Sequence, residues 1–226
     1  MSEVKVIEIN ENVFADNDKQ AKRIRNICKE NKTFFINVMS SPGSGKTTML
    51  IELINKLKKS YNIVEMDVDI ETSLDAQRVA DSTGISSIQI HNDGLCHIDA
   101  DMVDRAIKHI DLNDIDLLIL ENIGNLVCPA EFDTGAHKNI MIFSVPEGDD
   151  KPLKYPLMFS ICDVVLINKC DTLSVFDDFS KEAVEQRIKK LNPKAKVIFV
   201  SAKTGEGFDE WTAWLRKEVR EWQNNE

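Results

Sequence analysis

A glycine-rich segment of the sequence carries residues that can bind phosphate and a divalent cation. It reads Ser40-Ser41-Pro42-Gly43-Ser44-Gly45-Lys46-Thr47-Thr48, between an apolar run and a segment with helical spacing. Backbone N–H groups of such a loop, with the N-terminus of the following helix, point at bound phosphates, and its glycines keep side chains out of the approach. Lys46 would bridge the β- and γ-phosphates, and the Thr47 hydroxyl would bind Mg²⁺. The segment predicts a P-loop, although Ser40 replaces the usual first glycine. Phosphate binding is assigned to Ser41, Gly43, Ser44, Gly45, Lys46, Thr47 and Thr48.

A second motif, Asn168-Lys169-Cys170-Asp171, ends an apolar run and can recognise a purine base. The Asp171 carboxylate can accept hydrogen bonds from N1–H and the 2-amino group of guanine, whereas adenine lacks both donors and would leave the carboxylate unpaired. Lys169 can lay its aliphatic stem along the base. Ser201-Ala202-Lys203 follows another apolar run and is the usual companion loop over the guanine. We assign guanine binding to Asn168, Lys169, Asp171, Ser201, Ala202 and Lys203.

Phosphoryl transfer also needs groups near the γ-phosphate that respond to it. Asp69 follows the second predicted strand, Asp75 starts the next helix, and Glu121-Asn122-Ile123-Gly124 follows a strongly apolar strand. The Glu-x-x-Gly spacing can place a carboxylate near Mg²⁺ and a glycine N–H on the γ-phosphate. For the two aspartates, turn and helix-cap roles are the alternative. No arginine lies in an obvious switch segment, and the nearest is Arg78. We assign catalysis to Lys46, Asp75, Glu121 and Gly124, and Mg²⁺ binding to Thr47, Asp69, Asp75 and Glu121.

Cys96-His97 lies just before a predicted helix, and Cys128 lies shortly beyond Gly124. Two thiolates and an imidazole suit Zn²⁺ or Ni²⁺. An adjacent Cys-His pair cannot easily close a tetrahedral site alone, so ligands from elsewhere or from another subunit would be needed. On spacing alone, buried cysteines and a capping histidine are the favoured interpretation. The remaining cysteines are Cys28, Cys162, which is expected in a core strand, and Cys170. The chain has five cysteines in all, and an odd number at wide spacing does not indicate a disulfide framework.

Strand-like and helix-like segments alternate along the chain. Strands are predicted over Thr33–Met39, Asn62–Val68, Ser86–His91, Ile115–Leu120, Ile140–Val145, Val164–Asn168 and Val197–Val200, and helices over Asp18–Glu30, Thr47–Lys59, Leu74–Ser82, Asp99–Ile110, Asp177–Leu191 and Phe208–Trp222. The alternation predicts an α/β fold, a P-loop NTPase with three α/β/α layers and a mostly parallel sheet. We expect a single GTPase domain over residues 1–226, with residues 1–32 as an N-terminal extension and helix packed on it. Pro146–Pro156 is interpreted as a loop.

Length and composition restrict the class of protein. With 226 residues, 42% of them apolar, the chain can form one substantial core. Its formal net charge of −10 argues against nucleic acid or an anionic membrane as the main partner. No apolar run approaches the roughly 20 residues that span a bilayer, and the N-terminus lacks the apolar stretch of a signal peptide. We expect a cytoplasmic protein.

Six stretches of the chain together resemble the HypB GTPases, which assist nickel insertion into nickel–iron hydrogenase. They are Ser40–Thr48 (SSPGSGKTT), Cys96–Met102 (CHIDADM), Glu121–Pro129 (ENIGNLVCP), Lys154–Met158 (KYPLM), Asn168–Asp171 (NKCD) and Ser201–Gly207 (SAKTGEG). The second and third are specific to this family, whereas the P-loop and the base motif alone are not. The resemblance implies a G domain of the SIMIBI type.

The resemblance also implies a homodimer that GTP promotes, with Zn²⁺ or Ni²⁺ bound at the subunit interface by Cys96, His97 and Cys128. It implies GTP or GDP with Mg²⁺ as cofactors, and Asp69 and Asp75 as switch residues. The partners it implies are a nickel-binding HypA-type protein and the hydrogenase large subunit. Residues 1–11 contain neither the cysteine-rich nor the histidine-rich stretch of many bacterial members, so we expect no nickel storage in this segment.

Three alternatives remain open. A related G protein that matures another metalloenzyme, such as urease, would carry Cys-Pro-His as its metal motif, unlike Cys96-His97. An ATP-dependent kinase or ligase on the same scaffold would leave Asp171 without a base to recognise. A metal-storage protein with vestigial nucleotide binding would not need the complete Lys46-Thr47 pair.

Overall fold

The computed structural model of the chain describes residues 10–69, 73–92 and 94–225. The elements are α1 (Asn10–Glu30), β1 (Phe34–Ser40), α2 (Lys46–Leu57), β2 (Ile63–Asp69), α3 (Leu74–Thr83), β3 (Ser86–His91), α4 (Ala100–Ile107), β4 (Leu117–Gly124), β5 (Lys138–Ser144), α5 (Lys151–Lys154), α6 (Pro156–Ile161), β6 (Val164–Asn168), α7 (Lys181–Leu191), β7 (Lys196–Phe199) and α8 (Phe208–Asn225). Short 3₁₀ helices cover Cys128–Ala130, Val145–Glu147 and Cys170–Thr172. The first nine residues of the predicted N-terminal extension lie outside the described part.

Seven strands of the described chain form one parallel sheet, in the order β3-β2-β4-β1-β5-β6-β7. The central strand β1 pairs with β4 on one side and β5 on the other. Helices cover both faces of the sheet, and β1, β4 and β6 are therefore buried along nearly their whole length. The predicted parallel α/β fold is confirmed.

The helices form two layers. On one face, Leu53 of α2, Val79 of α3 and Trp211 of α8 belong to one apolar cluster. On the other face, α1 and α4 pack over one half of the sheet through residues such as Ile24, and α6 and α7 pack over the other half through residues such as Val184. The result is the predicted α/β/α arrangement. No helix in the described part of the chain combines the length and apolar character that crossing a membrane requires.

The carboxyl ends of the strands bring the predicted motifs to one edge of the sheet. The P-loop follows β1, β2 ends at Asp69, and β6 ends at Asn168. Strand β4 continues beyond the predicted end at Leu120 and includes Gly124, which pairs with Ser40 of β1. Parallel strands place ligand sites at this edge, where neighbouring connections diverge.

Helix α1 packs against α4 and against the segment that follows β4. The Arg25 guanidinium donates to both carboxylate oxygens of Asp133, at 2.6 and 2.9 Å. The close approach of α1 to this segment requires a glycine at position 135, because a Cβ there would lie 2.7 Å from Cβ of Ile24 in α1. The helix begins at Asn10 rather than at the predicted Asp18.

Several predicted boundaries are wrong. The supposed loop Pro146–Pro156 contains α5 and part of a 3₁₀ helix, which a capping box between Ser144 and Glu147 starts. Helix α7 begins at Lys181 rather than Asp177, because the Ser180 hydroxyl caps it.

Cys162 follows the end of α6 instead of lying in a strand as predicted. Its thiol donates to the Met158 carbonyl at 2.9 Å, and burial raises its pKa. This thiol is a packing group.

Candidate functional site

The P-loop lines a cavity of about 340 Å³ at the carboxyl edge of the sheet. The other walls come from the end of β2, the start of α3 and the end of β4. They are formed by Asp67, Val68, Asp69, Asp75, Arg78, Ile123 and Gly124. All seven residues to which the sequence assigned phosphate binding lie here, together with Asp69, Asp75 and Gly124.

Two glycines give the P-loop its shape. Gly43 and Gly45 have φ angles of 73° and 93°, which side-chain-bearing residues rarely adopt. A Cβ at Gly45 would also lie only 2.7 Å from Nδ2 of Asn168. Because α2 begins at Lys46, its N-terminal turn adjoins the cavity, where backbone N–H groups and the helix dipole favour an anion.

Lys46 and Thr47 both contact Glu121. Nζ of Lys46 lies 2.6 Å from Oε1 of Glu121, and the Thr47 hydroxyl donates to the same oxygen at 2.7 Å. Glu121 is fully buried on β4, and a buried carboxylate requires such partners. The Glu-x-x-Gly motif and the P-loop therefore share one hydrogen-bonded network.

Two further carboxylates, which were not among the predicted site residues, lie beside Glu121. Glu65 and Asp67 belong to β2, and Asp67 is directly opposite Glu121 in the sheet. Oxygens of the three side chains lie within 4.8 Å of one another. Burial, followed by repulsion from Glu121, raises the pKa of Glu65 to about 8 and that of Asp67 to about 7.

This oxygen-rich set fits Mg²⁺, a cation that prefers carboxylate, hydroxyl and water oxygens. Oε2 of Glu121 has no hydrogen-bond partner in the described residues, and Thr47 is adjacent to Oε1. A sequence signal for the cluster did exist. Acidic residues occupy every second position at 65, 67 and 69 in a strand that is covered on both faces, where polar side chains are otherwise unexpected.

The base motif contacts the P-loop directly. Nδ2 of Asn168 donates to the Ser44 carbonyl at 2.8 Å, and Nζ of Lys169 donates to the Gly43 carbonyl at 2.9 Å. Lys169 itself has a φ of 60°, a sparsely populated conformation that marks a sharp turn after β6. The two motifs therefore form one continuous surface.

The predicted companion loop joins the base motif. The backbone N–H of Ala202 donates to Oδ1 of Asn168 at 3.2 Å, and the Ser201 hydroxyl donates to Oδ1 of Asp171 at 2.7 Å. Lys203 is exposed. Because Oδ2 of Asp171 is not used in this contact, the carboxylate keeps acceptor capacity for a ligand.

Cys96 and Cys128, which are 32 residues apart in the sequence, meet in space. Sγ of Cys96 lies 2.8 Å from Sγ of Cys128 and 3.8 Å from Nδ1 of His97. The hydrogen bond between the thiols raises the pKa of Cys96. Asn125 connects the two segments, since its amide nitrogen donates to the Cys96 carbonyl at 3.1 Å.

The interpretation favoured by spacing alone is wrong for Cys96 and His97. Cys96 is exposed rather than buried, and Asp99, not His97, caps α4 by accepting from the Met102 N–H at 2.9 Å. The His97 ring instead stacks on Phe132, with ring centroids 3.9 Å apart and planes at 10°. Phe132 was not predicted as part of the site.

Comparison with known proteins identifies the family. The model for the CobW/HypB/UreG nucleotide-binding domain matches residues 34–199. The hydrogenase maturation factor HypB of Azotobacter chroococcum mcd 1 is 41% identical over 218 residues, which cover 96% of this chain and 71% of the relative. The chain belongs to the HypB family.

Other HypB proteins agree in sequence and structure. The hydrogenase/urease maturation factor HypB of Helicobacter pylori is 38% identical over 96% of this chain and 90% of its own. The crystal structure of HypB from Helicobacter pylori in complex with nickel has a TM-score of 0.85 at 38% identity, covering 91% of this chain and 96% of that one. A bacterial FtsY, the signal recognition particle receptor, is similar in fold at a TM-score of 0.54 and 14% identity.

Within this chain the predicted residues form two groups. One surrounds the P-loop cavity and extends through Asn168 to Asp171 and Ser201. The other consists of Cys96, His97 and Cys128 beside Phe132. Strand β4 and the turn after it connect the two groups.

Proposed function

We propose that this HypB-family protein is a GTPase whose nucleotide state controls a Ni²⁺ or Zn²⁺ ion at a dimer interface, and that it assists nickel insertion into nickel–iron hydrogenase. One observation carries the proposal, the short connection between the two sites. Gly124 lines the phosphate cavity, and Cys128, in the turn that follows the same strand, lies 2.8 Å from Cys96. Only the short segment from Gly124 to Cys128 separates the two sites, so a displacement of Gly124 at the terminal phosphate would also shift a metal ligand.

The preference for guanine is inferred from Asp171. Its carboxylate is anchored by Ser201 at 2.7 Å, so the remaining oxygen is held in place for N–H donors of the base. Asn168 and Lys169 both contact the P-loop, and the base and phosphate subsites are therefore linked. Adenine would leave a desolvated carboxylate without a donor.

Hydrolysis would depend mainly on charge placement. Lys46, oriented by Glu121, would contact the β- and γ-phosphates, and the N–H of Gly124 would contact the γ-phosphate. Asp75 would act at the same phosphate from the first turn of α3. Thr47, Asp69, Asp75 and Glu121 would hold Mg²⁺, which when bound neutralises charge on the phosphate oxygens. We expect slow intrinsic turnover.

The metal site would be completed by a second subunit. Cys96, His97 and Cys128 provide three ligands, whereas a closed Zn²⁺ site has four. The exposure of Cys96 supports a position at an interface, and two-fold symmetry would bring an equivalent set from the other copy. Coupling between sites is reciprocal, so GTP and the metal would strengthen each other's binding equally.

The expected partners follow from the family. Relatives at about 40% identity are hydrogenase maturation factors. We therefore infer that the chain works in the cytoplasm with a nickel-binding HypA-type protein and the hydrogenase large subunit. The net charge of −10 supports partners other than nucleic acid or membranes.

The deciding experiment compares Ni²⁺ and Zn²⁺ affinity of the purified protein loaded with GDP and with a non-hydrolysable GTP analogue. We expect tighter binding in the GTP-analogue state, and loss of that difference in Cys128→Ser. Cys28→Ser is the control, because Cys28 is a buried residue of α1 that belongs to neither predicted site. Equal metal affinity in the two nucleotide states would overturn the proposed coupling.

A second candidate is maturation of urease, because the Helicobacter pylori relative is a hydrogenase/urease maturation factor. Capture with tagged protein from cells that make both enzymes separates the two. Recovery of urease components without hydrogenase components would replace hydrogenase as the target. Competition of ATP against labelled GTP tests the kinase alternative, since comparable affinities would remove the guanine preference.

A further inference from the structure

Arg78 provides a second positive charge at the phosphate cavity. It lies on α3, one turn after Asp75, so both side chains share one face of the helix. Both also line the cavity. Its Nη2 donates to the Thr48 hydroxyl in the first turn of α2, at 3.2 Å. The guanidinium is thereby held beside the N-terminus of the helix that follows the P-loop.

The surroundings of Arg78 differ from those of Lys46. The Lys46 ammonium is paired with Glu121 at 2.6 Å. In residues 10–69, 73–92 and 94–225, by contrast, no carboxylate forms an ion pair with Arg78, and its contact to Thr48 uses one of five guanidinium donors. An arginine stays charged at all relevant pH values. An exposed guanidinium with spare donors, fixed at an anion-binding helix terminus, is suited to bind phosphate.

The position on the cavity wall indicates which phosphate it would contact. Arg78 enters from α3 with Asp75, and the wall also contains Gly124, the proposed γ-phosphate contact. The P-loop N–H groups would contact the inner phosphates and Lys46 would bridge the β- and γ-phosphates, so a second cation on this wall would add to the contacts of the γ-phosphate alone. Building on the GTPase function proposed above, we propose that Arg78 binds the terminal phosphate within its own subunit and so makes α3 distinguish GTP from GDP.

A structural role would have a different signature. If Arg78 only tied α3 to α2 through Thr48, its removal would lower stability and weaken both nucleotides equally. If it acted instead across a dimer, its effect would require protein concentrations that support dimers. If Arg78 binds the terminal phosphate within its own subunit, its removal should weaken GTP binding selectively, and the effect should not depend on protein concentration.

The test measures affinities of the full chain for a non-hydrolysable GTP analogue and for GDP, at protein concentrations on either side of dimer formation. For Arg78→Ala we expect about tenfold weaker binding of the GTP analogue, with GDP affinity changed less than about threefold. Arg78→Lys should recover part of the loss. Arg105→Ala is the matched control, because Arg105 is an exposed arginine on α4 that pairs with Asp101.

Each outcome is decisive. Selective loss for the GTP analogue at every protein concentration supports the proposal. Equal losses for both nucleotides, no loss, or a loss confined to dimeric concentrations would overturn it. Wild-type protein that fails to bind either guanine nucleotide would refute the proposed GTPase function itself, which is a separate result.

Discussion

The side-chain amide of Asn168 donates a hydrogen bond of 2.8 Å to the carbonyl oxygen of Ser44. This bond joins the base motif after β6 to the P-loop after β1, two strands that are not neighbours in the sheet. The contact is possible only because the residue next to Ser44 is Gly45. A Cβ at that position would lie 2.7 Å from the amide nitrogen of Asn168, which is too close.

Substitution of the two P-loop glycines should therefore have unequal effects on stability. Both have positive φ, which costs an alanine about 1–2 kcal/mol. A Cβ at Gly43 meets no atom within 4 Å, whereas Gly45→Ala would also displace Asn168, adding about 1–3 kcal/mol. Urea unfolding without nucleotide should show the larger loss for Gly45→Ala. Equal losses in the two variants would show that the amide contact is unimportant.

Asp171→Asn should change base preference. The amide offers one acceptor and one donor in place of two acceptors, so it loses a guanine N–H contact and can donate to the 2-oxo group of xanthine. We expect GTP affinity to fall by about 100-fold or more and xanthosine triphosphate to bind better than GTP. Competition against a fluorescent nucleotide measures both. Asp178→Asn, an exposed position nearby, should leave the preference unchanged.

Glu65 should make stability depend on pH. Burial and the neighbouring Glu121 raise its pKa from 4.5 to about 8 in the folded protein. Between these values the unfolded chain releases a proton that the folded chain retains, so the stabilising contribution is full below about pH 4.5 and lost as pH rises through 8.

The measurement is the free energy of unfolding in urea at pH 5.5 and 7.5. Glu65 should account for a decrease on the order of 2 kcal/mol between these values, which Glu65→Gln should abolish. Glu52→Gln on α2, away from the cluster, should keep the wild-type slope. An unchanged slope in Glu65→Gln would contradict the assigned shift.

Phe132 should contribute to metal binding without being a ligand. Its ring lies 3.9 Å from that of His97 and fixes the imidazole beside Cys96. We expect Phe132→Leu to weaken Zn²⁺ binding by about tenfold, in the range typical of residues that orient a metal ligand. Phe14→Leu is the control, since Phe14 contacts Phe132 at a centroid distance of 5.6 Å but is not stacked on His97. Titration with a chromogenic chelator gives both affinities.

Local patterns were reliable where chemistry depends on adjacent residues. The P-loop, the alternation of strands and helices, and the position of each motif at a strand end could be predicted because short-range sterics and burial of apolar runs determine them. Predicted helix boundaries were wrong where a capping side chain sets the start of the helix, as Ser180 does for α7. They were also wrong between Ser144 and Pro156, where local capping forms short helices in a segment predicted as a loop.

The sequence by itself determined the parallel α/β fold, and it predicted a phosphate-binding loop and a base motif with an anionic acceptor. A metal-binding role for Cys96, His97 and Cys128 was predicted only through the resemblance to a family. Only the tertiary structure decided which of these groups meet. Strand order places Asp67 opposite Glu121, the turn after β4 brings Cys128 to Cys96, and packing of α3 on α2 sets Arg78 against Thr48. The physical reason is that local preferences act over a few residues, whereas these contacts depend on which strands and helices become neighbours when the whole core is buried.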